Sequence, residues 1–87
     1  MTKILVLWGR RVAIGDGKPD EVRTLMQEFG SARKAAELAA DLIYMLDGSD
    51  ASNAWSDKNY LVSRKKPRVQ YDNQTRDQWV RVEYQDT

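Results

Sequence analysis

From Ile4 to Trp8 every position is apolar, Ile4-Leu5-Val6-Leu7-Trp8. A run this short, apolar on both faces, predicts a central β-strand over Lys3 to Trp8. Arg10 to Ile14 either continues that strand or returns as its hairpin partner, and Gly15-Asp16-Gly17 is a turn signal. Val22, Leu25, Met26 and Phe29 then fall at i, i+3, i+4 and i+7. That spacing predicts a short helix over 22–29, with proline and acids of Lys18-Pro19-Asp20-Glu21 suited to its first turn. A strand is the alternative, for which Arg23 to Glu28 alternates poorly.

Gly30 stops that segment, and Ser31 is placed to cap a second helix by accepting a backbone N–H bond. Ala35, Leu38, Ala39, Leu42, Met45 and Leu46 give residues 32–46 a wide apolar face, ended by Asp47-Gly48. Ser49 to Asp57 reads as a loop or one short helix. Beyond it the period changes to two. Asn59 to Ser63 predicts a strand, Arg64 to Pro67 a turn and Arg68 to Tyr71 its partner. After a turn over Asp72 to Asp77, Gln78 to Tyr84 alternates cleanly. It sets Val80, Val82 and Tyr84 on one face and Trp79, Arg81 and Glu83 on the other. The expected fold is α+β: an antiparallel sheet of about four strands with one short and one longer helix packed on one face. Residues 1–87 suit a single small domain.

Composition narrows the chemistry. The 41% of apolar and 31% of charged residues belong to an ordinary globular domain rather than a disordered one. Cysteine and histidine are both absent. Disulfides, thiolate metal sites, most zinc sites and a Ser-His-Asp triad are therefore excluded. The chain shows no apolar stretch of about 20 residues that would span a membrane. A cytoplasmic protein with no cofactor and no metal is expected.

The candidate motifs for catalysis and ion binding fail on their own spacing. Gly15-Asp16-Gly17-Lys18 lacks the Walker glycine, since Val12 stands there, and the following Ser or Thr, since Pro19 does. Asp47-Gly48-Ser49-Asp50 offers calcium ligands, but the twelfth position of such a loop is Lys58 instead of glutamate. No two carboxylates are set apart as an acid and a base, and the reading is of a non-enzymatic protein.

Charge carries more. The net charge is only +1, but it is unevenly spread. Arg64, Lys65, Lys66 and Arg68 stand around Pro67 in one predicted turn, an arrangement suited to phosphate contacts. The alternative is a solvated turn whose charges protect a sheet edge. Arg33 and Lys34 follow Ser31 at the start of the long helix, beside free backbone N–H groups that would suit an anion. Arg10 and Arg11 complete the candidate set. Trp55, Tyr60, Tyr71 and Trp79 lie near basic residues and serve either base stacking or packing.

Phe29-Gly30-Ser31, Lys34-Ala35-Ala36-Glu37-Leu38 and Ser49-Asp50-Ala51-Ser52-Asn53-Ala54-Trp55 together resemble the helix-turn-helix region of small Cro-type phage repressors. The resemblance covers residues 29–55. It implies DNA binding, with Ser49, Ser52 and Asn53 facing bases. The Ala-rich helix runs about two turns longer than that pattern, and no Arg or Lys precedes Lys58 in the would-be recognition helix. Trp8-Gly9-Arg10 is similar to the signature triplet of the WGR nucleic-acid-binding domain, and the layout resembles small phage proteins such as anti-CRISPR inhibitors. The leading expectation is a non-enzymatic nucleic-acid-binding protein, with a small phage-type regulator as one form of it. The alternative is a phage or mobile-element inhibitor that binds an acidic surface of a host protein.

Overall fold

A computed structural model describes residues 2–14, 18–56 and 61–86. The elements run β1 (Thr2–Ile14), β2 (Lys18–Phe29), α1 (Ala32–Asp47), α2 (Ser49–Ser56), β3 (Arg68–Asp72) and β4 (Gln78–Asp86). The strands form one four-stranded sheet in the order β2-β1-β4-β3, and every neighbouring pair is antiparallel. The apolar run of β1 thus occupies the centre, as its two-faced pattern requires. Arg10 to Ile14 continues that strand. The Gly15-Asp16-Gly17 turn lies outside the described residues.

Residues 22–29 are strand, not helix: they form the outer part of β2. The misleading spacing has a local cause. Leu25 pairs with Trp8, but the next β1 residue, Gly9, pairs with Arg23. Thr24 is an extra residue, a β-bulge, and it shifts the alternation by one. Val22 and Leu25, three apart, therefore share the helix-side face, which is the spacing an amphipathic helix would show. Met26 projects on the opposite side and is half exposed.

Both helices pack on one face of the sheet. Ile4, Val6, Val80 and Val82 from the central strands meet Ala35, Ala39, Leu42 and Ile43 of α1 in one buried cluster. Small residues on α1 let the helix approach the branched residues of the strands closely. Val62 plugs the cluster from the segment before β3 and is buried. Residues 61–63 are not strand, so the expected hairpin partner of Arg68 to Tyr71 is absent from them; Asn59 and Tyr60 lie outside the described residues. β3 is instead the outer neighbour of β4.

Ser31 occupies the N-cap position of α1 without a side-chain capping bond. Its carbonyl accepts the Ala35 N–H at 3.1 Å. Gly48 ends the helix with φ at +93°, a left-handed conformation that favours glycine, and its N–H donates to the Tyr44 carbonyl. The Asp47 carboxylate then ties the helix to the sheet. It accepts hydrogen bonds from the Tyr71 hydroxyl and from the Gln74 N–H. Among the described residues no helix is long and apolar enough to cross a membrane.

Candidate polyanion interface

The basic segment is a hydrogen-bonded turn. Ser63 and Lys66 exchange backbone hydrogen bonds of 2.9 and 3.2 Å, which places Arg64 and Lys65 at the tip. Buried Val62 anchors one side, and the Pro67 carbonyl accepts the Tyr84 N–H at 2.7 Å on the other. Arg64, Lys65, Lys66 and Arg68 are all exposed. Arg64 is ion-paired with Asp86, whose hydrogen bond, and then its charge, raises the pKa of the guanidinium. Arg68 stands directly across from Glu83 on β4 and donates to the Gln70 amide oxygen at 3.5 Å. A surface depression of about 270 Å³ lies beside it, lined by Pro67, Arg68, Glu83, Tyr84 and Gln85.

Strand register locates the other predicted cations. Phe29, Ile4 and Tyr84 form one row across the sheet. Helix α1 begins three residues after Phe29, so Arg33 and Lys34 lie at the end of the molecule that carries the basic turn, toward the β2 side. Both are exposed. Arg10 pairs with Gln78, six residues further along β1, which at the strand rise is roughly 20 Å away. Arg10 and Arg11 are therefore at the opposite end and do not join the cluster.

Arg11 is engaged in structure. It donates to the Asp72 carboxylate at 2.7 Å and to the Arg76 carbonyl at 2.9 Å, holding the turn between β3 and β4. Burial pushes the Asp72 pKa up, but the hydrogen bonds from Arg11 and Gln70 outweigh it, and the net direction is downward. Asn73 is buried in the same turn: its amide donates to Asp77 at 2.7 Å and its carbonyl oxygen accepts the Gln78 N–H at 3.0 Å.

The face of the sheet away from the helices holds a feature that patterning did not single out. The Trp79 indole lies flat over Gly9, its strand neighbour, and is only 3% exposed although no helix covers this side. The Arg81 guanidinium sits 4.5 Å from the centre of the Trp79 ring, a cation–π contact, and donates to the Gln70 amide oxygen at 2.9 Å. Trp79 is thus a packed residue rather than an open stacking platform. Tyr71 is tied to Asp47. A glycine following an apolar strand run, in Trp8-Gly9-Arg10, was the signal available in sequence.

Of the residues that the helix-turn-helix resemblance would aim at bases, Ser49 and Asn53 are exposed, while Ser52 is buried and donates to the Ala40 carbonyl at 2.8 Å. Among the described residues no group of acidic side chains is arranged to hold a metal ion. Compared with protein-family models, curated proteins and solved structures, the chain matches none.

Proposed function

We propose that this is a non-enzymatic nucleic-acid-binding protein, a small phage-type regulator, that grips phosphates with the turn carrying Lys65, Lys66 and Arg68. The observation that supports this most is the construction of that turn. Four cations are exposed on a segment fixed by paired backbone bonds and a buried valine, so binding would cost little ordering entropy. Arg33 and Lys34 lie at the same end of the molecule, toward β2, and would offer further phosphate contacts to a partner that spans that end. Arg10 and Arg11 are outside the interface.

A second reading keeps the turn and changes the partner to an acidic protein surface. Arg64 already accepts a carboxylate, Asp86, as its partner, which is the chemistry such a surface would offer. Titration into labelled random duplex across a range of salt separates the two. Three phosphate contacts predict a slope of log affinity against log salt of about −3. Lys65→Ala with Lys66→Ala should flatten it by about two while leaving the melting temperature nearly unchanged, because exposed charges contribute little to folding. No binding at low salt would sink the nucleic-acid reading and favour the protein target.

A further inference from the structure

The sheet has one long open edge. β2 is its outermost strand on one side, and among the described residues no strand pairs with its outer edge. Residues 20–24 of that edge are all exposed, Val22 at 47%. An edge of this length normally invites pairing. Pro19, which has no N–H to donate, bounds this segment on one side, and the bulge at Thr24 bounds it on the other.

Within that window the charges alternate as Glu21, Val22, Arg23. Within the chain Glu21 lies 3.8 Å from Arg81 and Arg23 donates to the Met26 sulfur at 3.5 Å, exposed contacts that an intermolecular pair would share or replace. Antiparallel pairing with an identical strand must obey two-fold symmetry. A register centred on Arg23 would set two arginines face to face, and one centred on Glu21 two glutamates. A slip of one residue would bring opposite faces together. A register centred on Val22 sets Val22 against Val22 and each Glu21 against the Arg23 of the other copy. Asp20 then faces Thr24. We infer that β2 is the surface through which two copies of this chain associate, edge to edge about Val22, to form one continuous antiparallel sheet.

The inference is independent of the nucleic-acid reading, since it uses the edge farthest from β3 and none of the basic turn. Sedimentation equilibrium of the whole protein at micromolar to millimolar concentration should show a monomer–dimer equilibrium. Glu21→Arg and Arg23→Glu should each weaken self-association by roughly 30-fold, because each replaces two opposite-charge pairs by two like-charge pairs. Mixed together, the two variants restore both attractive pairs, and a one-to-one heterodimer should form. Circular dichroism of each variant alone reports whether the monomer is folded. A wild type that stays monomeric at millimolar concentration, single variants that dimerise as the wild type does, or folded variants that fail to associate on mixing would each overturn the assignment.

Discussion

Replacing Gly9 by alanine adds one methyl group, and the structure says where it goes. A Cβ at that position would lie 2.2 Å from Cζ2, 2.5 Å from Cε2 and 2.8 Å from Cη2 of Trp79. The nearest atoms belong to a rigid indole that is 3% exposed, so the ring must move as a whole. The backbone at Gly9 is not in the left-handed region. Only the contact therefore distinguishes alanine from glycine, and alanine would otherwise gain about 0.4–1 kcal/mol by restricting the unfolded chain. Overpacking of this kind costs about 1–3 kcal/mol. Displacing the ring also forfeits the Arg81 cation–π contact, about 1 kcal/mol for a partly buried pair. The sum is a destabilisation of about 1–3 kcal/mol against a total of roughly 4–13 kcal/mol for a chain of this size. In a thermal melt this lowers the midpoint by roughly 5–20 °C. Urea denaturation followed by circular dichroism gives the free energy directly. The decisive comparison repeats Gly9→Ala in a Trp79→Val background, where the methyl group has room and its cost should vanish. The argument fails if Gly9→Ala melts with the wild type, or if it costs as much without the indole as with it.

Other outcomes follow from contacts already described. Leu42→Asp puts a charge where the side chain is 7% exposed in the α1 face of the core, and should abolish the cooperative melting transition. Burial, and then the hydrogen bond to Asp47, raises the Tyr71 pKa to about 12. Its folded value exceeds the unfolded one near 10, so its stabilisation is complete below that pH and is lost as pH climbs towards 12. Urea midpoints of Tyr71→Phe should accordingly fall less steeply over that alkaline window than those of the wild type. Arg10→Ala should leave the salt slope for duplex binding unchanged. Arg11→Ala should leave it unchanged as well while lowering stability by up to about 1 kcal/mol, since the ion pair and hydrogen bond it removes both end on exposed groups. A loss of slope in either variant would return those residues to the interface.

How far the fold could be read depended on whether a segment's pattern was interrupted. Helix α1 and strand β4 have unbroken periods over their whole length, and both were legible. β2 was not, because Thr24 shifts its alternation and because an edge strand leaves Val22 and Met26 in solvent, where they mimic the stripe of a helix. Residues 61–63 failed for another reason. Val62 is buried as a single plug beside an exposed Leu61, and an apolar pair ending in a β-branched residue before Ser63 reads as a short strand. The candidate interface was half legible. A run such as Arg64 to Arg68 announces itself, but sequence has no means of knowing that Arg64 has Asp86 for a partner or that Arg10 and Arg11 lie a sheet's length away. Gly9 was visible only as part of the Trp8-Gly9-Arg10 triplet, and its packing against Trp79 is a long-range fact.

The position of β1 between β2 and β4 bears on how the chain is made. One flank of β1 is completed by the neighbouring strand β2, whose pairing needs no residue beyond Phe29. The other waits for β4, and the Thr2 and Tyr84 hydroxyls that meet across that seam are 82 residues apart in sequence. At about 5–20 residues per second, synthesis leaves the second edge of β1 open for seconds. Closing so distant a pair also slows folding itself, because loop-closure entropy is lost before any contact rewards it. During that interval the most apolar strand of the protein has helix α1 available on one face and nothing on its C-terminal-side edge. A nascent chain stalled before Gln78 would present that edge to whatever else is being translated nearby.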